Sequence, residues 1–226
     1  MARRNRVFEF FLRSATPVLS RHHGQAFALR VIDEVRPEYE RVLPEVPDIG
    51  GMGNVLQPVM AVNGWIVALH RVMSRHGKPP EDTIRVFQEV FDGWLARLPS
   101  FVLESAGRLL LSAPVRRYLE SQARRSRERR YAEDFVWRVE LGPGGEVSLV
   151  FDECAVNKWY EAQGVSELRP YCNVADVTYS RLMGMGVDAS ETIGVGCDRC
   201  ALRYKHGRET VVPPNLAGII PSTSSR

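Results

Sequence analysis

The chain has 226 residues, 44% of them hydrophobic and 25% charged, with a formal net charge of +3. That composition belongs to a water-soluble globular protein long enough to bury a sizeable core. So small a net charge argues for no nucleic-acid and no membrane partner. The basic start Met1-Ala-Arg-Arg-Asn-Arg6 is followed by Phe8-Glu-Phe-Phe-Leu-Arg13, where charge interrupts any signal-like apolar run. The most apolar stretch, Val59 to Leu69, is too short to span a bilayer. The expected location is cytoplasmic.

In chain order, Phe8 to Leu19 and Gln25 to Arg36 read as helices, the second with Phe27, Val31 and Val35 at helical spacing. Pro37 is expected to end or kink it. Glycines 50, 51 and 53 mark a break, after which Asn54 caps a helix running toward His76. That helix is apolar on nearly all sides. It belongs in the core, although the stretch around Trp65 also leaves room for self-association into a homodimer. Ile84, Phe87, Val90, Phe91, Trp94, Leu95 and Leu98 form the clearest apolar stripe. Phe101 to Leu111 gives a short helix, and an Arg-rich helix follows from Pro114 through Arg130. Its basic run, without interleaved aromatics, reads as a solvated face.

At Asp134 the period switches to alternation. Residues 135–141 and 146–151, joined by Gly142-Pro-Gly-Gly145, form a β-hairpin. Helices over Ala155–Gln163 and Arg169–Met183 follow, then a second hairpin from Glu191 to Tyr204 turning near Gly196–Arg199. The expected class is α+β, a helical N-terminal half followed by a small antiparallel sheet with two helices. The expected regions are a helical 1–130, a cysteine-bearing 131–212 and a loosely held tail over 213–226.

The four cysteines, Cys154, Cys172, Cys197 and Cys200, all fall in the last third. Without a signal peptide, free thiols, a metal site or a catalytic thiol are expected rather than disulfides. Cys154 follows a strand and opens a helix, where free backbone N–H groups favour a thiolate; Lys158, one turn on, could lower its pKa further. Cys172 and Asp176 are four apart and share a face if helical. Cys197-Asp-Arg-Cys200 is a CxxC placed in a predicted hairpin turn, closer to a zinc knuckle than to a redox motif. His22, His23, His70 and His76 read as surface or cap residues. His206 could be a base or a plain strand end.

Together these segments resemble the L-2-amino-thiazoline-4-carboxylic acid hydrolase family. The resemblance is carried by Phe151-Asp-Glu-Cys154, Gly164-Val-Ser-Glu-Leu168, Tyr171-Cys-Asn-Val-Ala-Asp176, and Glu191-Thr-Ile-Gly-Val-Gly196 leading to Cys200-Ala-Leu-Arg-Tyr204. It covers roughly residues 135–208, in shared order. The chain differs in having Glu191 where the family has Arg, Ala201 where it has an acidic residue, and Cys197 as an extra cysteine. The resemblance implies a hydrolase that opens a small cyclic amidine. Cys172 or Cys200 would be the nucleophile, with Cys154 nearby. Asp176 would hold the amidinium, and Arg203, Arg181 or Lys158 the substrate carboxylate. No cofactor is favoured on this reading. Two alternatives stay open: a zinc or iron–sulfur protein ligated by Cys154, Cys172, Cys197 and Cys200, and a catalytically lapsed small-molecule binder.

Overall fold

Six helices fill the first half: α1 (Ala2–His23), α2 (Gln25–Val42), α3 (Gln57–Arg75), α4 (Pro80–Leu95), α5 (Ser100–Leu110) and α6 (Ala113–Ser126). The computed structural model describes residues 2–221, with side chains from residue 6 onward. The second half runs β1 (Val136–Leu141), β2 (Val147–Glu153), α7 (Ala155–Ala162), a 3₁₀ turn over Ser166–Tyr171, α8 (Val174–Leu182), β3 (Asp188–Glu191) and β4 (Cys200–Tyr204). The sheet is antiparallel throughout in the order β1-β2-β4-β3, with Phe151 opposite Cys200. The fold is α+β, as the pattern of periods predicts. No helix among the described residues is long and apolar enough to cross a membrane.

α3 is the central helix: Met60, Trp65, Val67, Leu69, Val72 and Met73 are all buried on it. Trp65 is therefore core rather than a face for self-association. It stacks on Phe11 with ring centroids 5.4 Å apart, and its Nε1 donates to the Tyr39 hydroxyl at 3.3 Å. The core that begins here continues through α4 to Trp137, Phe151, Trp159 and Tyr204, so helices and sheet share one apolar cluster.

Several boundaries differ from the sequence-based expectation. Pro37 lies inside α2, which continues to Val42. A proline in a helix interior costs about 3 kcal/mol, but Tyr39 and Val42 beyond it are buried, with Tyr39 stacked on Phe8 at 3.9 Å. Packing outweighs the lost hydrogen bond. Asn54 does not cap α3, which starts three residues later. Its Oδ1 instead accepts from the Leu56 amide (2.9 Å), and its Nδ2 donates to the Ile49 carbonyl (2.7 Å) and to Asp134.

α6 stops at Ser126, and Arg129 turns the chain with a left-handed φ of 51°. The helix expected from Arg169 begins only at Val174, because Pro170 sits in the preceding 3₁₀ turn. The tail is not loose over 213–220: Leu216, Ile219 and Ile220 are buried, and Asn215 Nδ2 donates to the Pro170 carbonyl. The expectation for residues 222–226 lies outside the described residues.

Candidate functional site

The sequence puts Cys154 where β2 ends and α7 begins, and the structure keeps it there, buried, as the residue before the first helical turn. Cys200 opens β4, paired to β2 through Phe151. Cys172 closes the 3₁₀ turn that precedes α8, and Asp176 lies in the first turn of α8. Four separate points of the fold thus deliver Cys154, Cys172, Cys200 and Asp176 to one cavity of about 90 Å³. The pairing of Cys172 with Asp176 comes out as the spacing predicts, although Cys172 is one residue short of the helix's cap. Apolar walls come from Leu56 and Val59 before and within α3, from Phe135, Phe151 and Leu202 of the sheet region, and from Val156.

The helical half does more than fill space. His70 is buried on α3 and bonds Glu167 at 2.8 Å, while the Tyr171 hydroxyl donates to Glu81 of α4. These two contacts fasten the 3₁₀ turn, and with it Cys172, to the helices. His70 is therefore not the surface or cap residue expected from sequence. Gly194 lets the turn after β3 press against the same segment: a Cβ there would meet the Arg169 carbonyl oxygen at 2.0 Å and the Cys172 Sγ at 3.3 Å.

The three sulfurs bond one another, and those bonds favour the thiolate form of Cys154 over those of its two neighbours. The thiols of Cys172 and Cys200 donate toward its sulfur, and the Asn157 amide and side chain add to them. Together they outweigh burial and hold the Cys154 pKa well below the ordinary thiol value. Cys172 is pushed well above that value by its bond to Cys154 and by burial, and Cys200 is raised for the same reasons. The Asn157 Nδ2 also donates to Cys172 Sγ at 3.5 Å, and Arg169 Nε fixes Asn157 by donating to its Oδ1 at 3.2 Å. The Ile193 amide donates to Cys200 Sγ at 3.2 Å.

Asp176 is encased by protein but keeps some accessible surface because it faces the cavity. Burial pushes its pKa up to about 6, opposed by bonds from the Tyr179 (2.8 Å) and Tyr204 (3.1 Å) hydroxyls to its Oδ1. Thr192 completes the lining: 1% exposed, its hydroxyl has no hydrogen-bond partner among the described residues. A buried hydroxyl left unpaired costs about 1–3 kcal/mol, and an occupant of the cavity would relieve that.

Asp176 carries a stability consequence whose sign is fixed. Its folded pKa of about 6 lies above the ordinary value of 3.8, so between the two the native protein holds a proton that the unfolded chain has released. The carboxylate therefore costs stability at neutral pH, and the cost vanishes as pH falls through that window. Asp176→Asn keeps an acceptor oxygen for both tyrosines. It is expected to stabilise the fold by about 3 kcal/mol at pH 7.5 and by almost nothing at pH 3.5. Urea unfolding at the two pH values checks this.

The structure does not bring every predicted residue to the cavity. Cys197 lines a separate shallow pocket on the turn before β4, beside Asp198 and Arg199, so the four-cysteine ligand set is not assembled. Among the described residues no group of three or more His, Cys, Asp or Glu side chains is placed to hold a metal ion. Lys158 does not act on Cys154; it pairs with Glu153 at 2.5 Å and donates to the carbonyls of Ala132 and Asp134. Arg203 pairs with Glu191 at 2.6 Å and Arg181 with Asp92 at 2.7 Å. His206 accepts from Arg108. No lysine or arginine lines the cavity among the described residues.

Asn157, Tyr179, Thr192 and Tyr204 belong to the site and were given no site role from sequence, although Thr192 and Tyr204 fall in the motifs that carry the resemblance. Tyr179 stands three residues after Asp176 on a helix, a spacing that could have flagged it. The others carry no local signal.

No protein-family model matches the chain, and the comparison with curated proteins gives no match. Among solved structures, an H-NOX protein from S. oneidensis in the Fe(II) ligation state is similar at a TM-score of 0.35 and 11% identity. The alignment covers 91% of this chain and 97% of that one, and at this similarity nothing about the present chain's chemistry follows.

Proposed function

We propose that the protein is a cysteine-dependent hydrolase that opens a small cyclic amidine, in keeping with the family resemblance. The observation that carries this reading is the convergence of Cys154, Cys172, Cys200 and Asp176 on one small cavity, where bonds from its neighbours lower the Cys154 pKa. The resemblance points to Cys172 or Cys200 as the nucleophile. The thiolate character of Cys154 moves that role to Cys154.

On this reading the amidinium end of the substrate enters beside the Asp176 carboxylate and passes a ring-nitrogen proton to it, so that the substrate reacts as the neutral amidine and Asp176 holds the proton. The Cys154 sulfur attacks the carbon between ring nitrogen and ring sulfur. A C–S bond forms to Cys154, the ring C–S bond breaks, and the expelled thiolate takes the proton of Asp176. Asp176, now a carboxylate, draws a proton from water as its oxygen adds to the same carbon. The bond to Cys154 then breaks, leaving a carbamoyl group and returning the thiolate held by Cys172 and Cys200. A carboxyl group with a pKa of about 6 suits both halves of this exchange near neutrality.

At about 90 Å³ the cavity is smaller than the roughly 150 Å³ apolar cavity that takes benzene. It fits the amidine end of a substrate, with the remainder at the mouth. With no cation in the lining, a substrate carboxylate has no counter-charge there, so the reading favours cyclic amidines with or without one. The test is turnover of 2-aminothiazoline with and without its 4-carboxylate by the wild type, Cys154→Ser and Asp176→Asn. The proposal expects ring opening by the wild type, and losses of about a hundredfold or more in both variants. No turnover of either compound would sink the hydrolase reading. So would stoichiometric zinc or iron in the purified protein with Cys154 unreactive.

A further inference from the structure

A second cavity, about 160 Å³, lies between the loop at Ile49–Asn54, the end of α6 and the chain leading into β1, and shares no lining residue with the cysteine cavity. Its polar groups are of a different kind. Gln122 is 8% exposed and lines the cavity, yet its side-chain amide has no hydrogen-bond partner among the described residues. Arg125, one turn on, also lines it and forms no ion pair among the described residues. Arg130 is brought to the rim by the left-handed turn at Arg129, though its Nη2 is shared with Glu128 at 2.7 Å. A bulky residue held at positive φ costs about 1–3 kcal/mol, and such strain gathers at ligand sites.

The same lining holds a carboxylate. Asp134, 7% exposed, receives the Phe135 amide (2.7 Å) and Asn54 Nδ2 (3.1 Å) on Oδ1, and Asn54 Nδ2 again (3.0 Å) on Oδ2. A carboxylate offers about four lone-pair sites. Oδ2 therefore has room for one further donor. The cavity lining thus combines a guanidinium and an amide that have no partners among the described residues with a carboxylate that has spare capacity.

We infer that this cavity binds a small oxyanion that itself carries an O–H, of which hydrogen phosphate is the simplest. Arg125 and the Gln122 amide donate to the charged oxygens, and Asp134 accepts from the phosphate O–H. The volume holds a phosphate group with a few waters. An oxyanion with no proton to give would set its charge against Asp134 and gain no bond from it, so the site discriminates against sulfate.

The experiment is calorimetric titration of the full chain at pH 7 and fixed ionic strength with inorganic phosphate, then with sulfate. Phosphate is expected to bind one to one, with sulfate at least tenfold weaker. Arg125→Ala, an exposed position outside the core, is expected to weaken phosphate by about tenfold to a hundredfold, the range of a lost charged hydrogen bond. Arg117→Ala, also exposed on α6 but off the cavity, should leave binding unchanged. Absence of phosphate binding, equal affinity for sulfate, or equal weakening by Arg117→Ala would overturn the inference. The last of these would show only a diffuse basic face.

Discussion

Alkylation of the native protein by iodoacetamide at pH 6.5 is expected to label Cys154 about tenfold or more faster than an ordinary thiol, once access to the cavity is allowed for. A free cysteine with a pKa near 8.5 is about 1% thiolate at that pH, whereas the bonds from Cys172, Cys200 and Asn157 lower the Cys154 pKa and raise its thiolate fraction. Its rate should rise less steeply between pH 6 and 8 than that of an ordinary thiol, which gains about tenfold per unit. Cys172 and Cys200 should lag far behind, because the same bonds that lower Cys154 raise both of them. Cys154→Ser should abolish the fast phase without transferring it to either neighbour. Peptide mapping of the labelled cysteines reads all of this. A fast phase on Cys172 would place the charge on the wrong sulfur.

Gly194→Ala should be the most damaging small substitution near the site. Its new methyl would stand 2.0 Å from the Arg169 carbonyl oxygen and 2.7 Å from the carbonyl carbon, both backbone atoms with no rotamer to give way. The turn after β3 and the 3₁₀ segment must then part, at a cost of about 3 kcal/mol. Cys172 Sγ, 3.3 Å from the same point, moves with that segment. The variant should therefore lose both thermal stability and the preferential reactivity of Cys154. Unchanged unfolding with unchanged alkylation would show that the contact relaxes freely. By contrast, Gly196, with a φ of 96°, would meet nothing within 4 Å, so alanine there would strain only the local backbone.

The parts of this structure that were readable from sequence are those set by local period and turn chemistry. The switch to alternation at Asp134 and the Gly142–Gly145 turn place the first hairpin. They also put Cys154 at a strand-to-helix junction before any contact is known. The four-residue spacing of Cys172 and Asp176 likewise brings both to one cavity. What was not readable depends on partners distant in sequence. Local spacing favours Lys158 as the neighbour of Cys154, but Glu153 captures it. The thiolate depends instead on Cys172, Cys200 and Asn157, which only the assembled fold brings together.

The same division explains the boundaries. Proline rules stop α2 at Pro37, and the packing of Tyr39 on Phe8 carries the helix past it. Composition alone reads 213–220 as loose, whereas three apolar side chains are buried in the core and Asn215 ties it to the segment that holds Cys172. His70 shows the same effect inside the core. Its buried bond to Glu167 spans 97 residues, and a lone histidine in a helical pattern gives no sign of it.

The central claim is that Cys154 forms a covalent bond to substrate carbon. The direct measurement is rapid acid quenching of the protein with a 2-aminothiazoline substrate, followed by intact-mass analysis and peptide mapping. The account predicts an adduct of substrate mass on the Cys154 peptide within the first turnover, absent from Cys154→Ser and accumulating in Asp176→Asn if water addition is slowed more than ring opening. An adduct on Cys172 or Cys200, or full turnover by Cys154→Ser with no adduct at all, would contradict it.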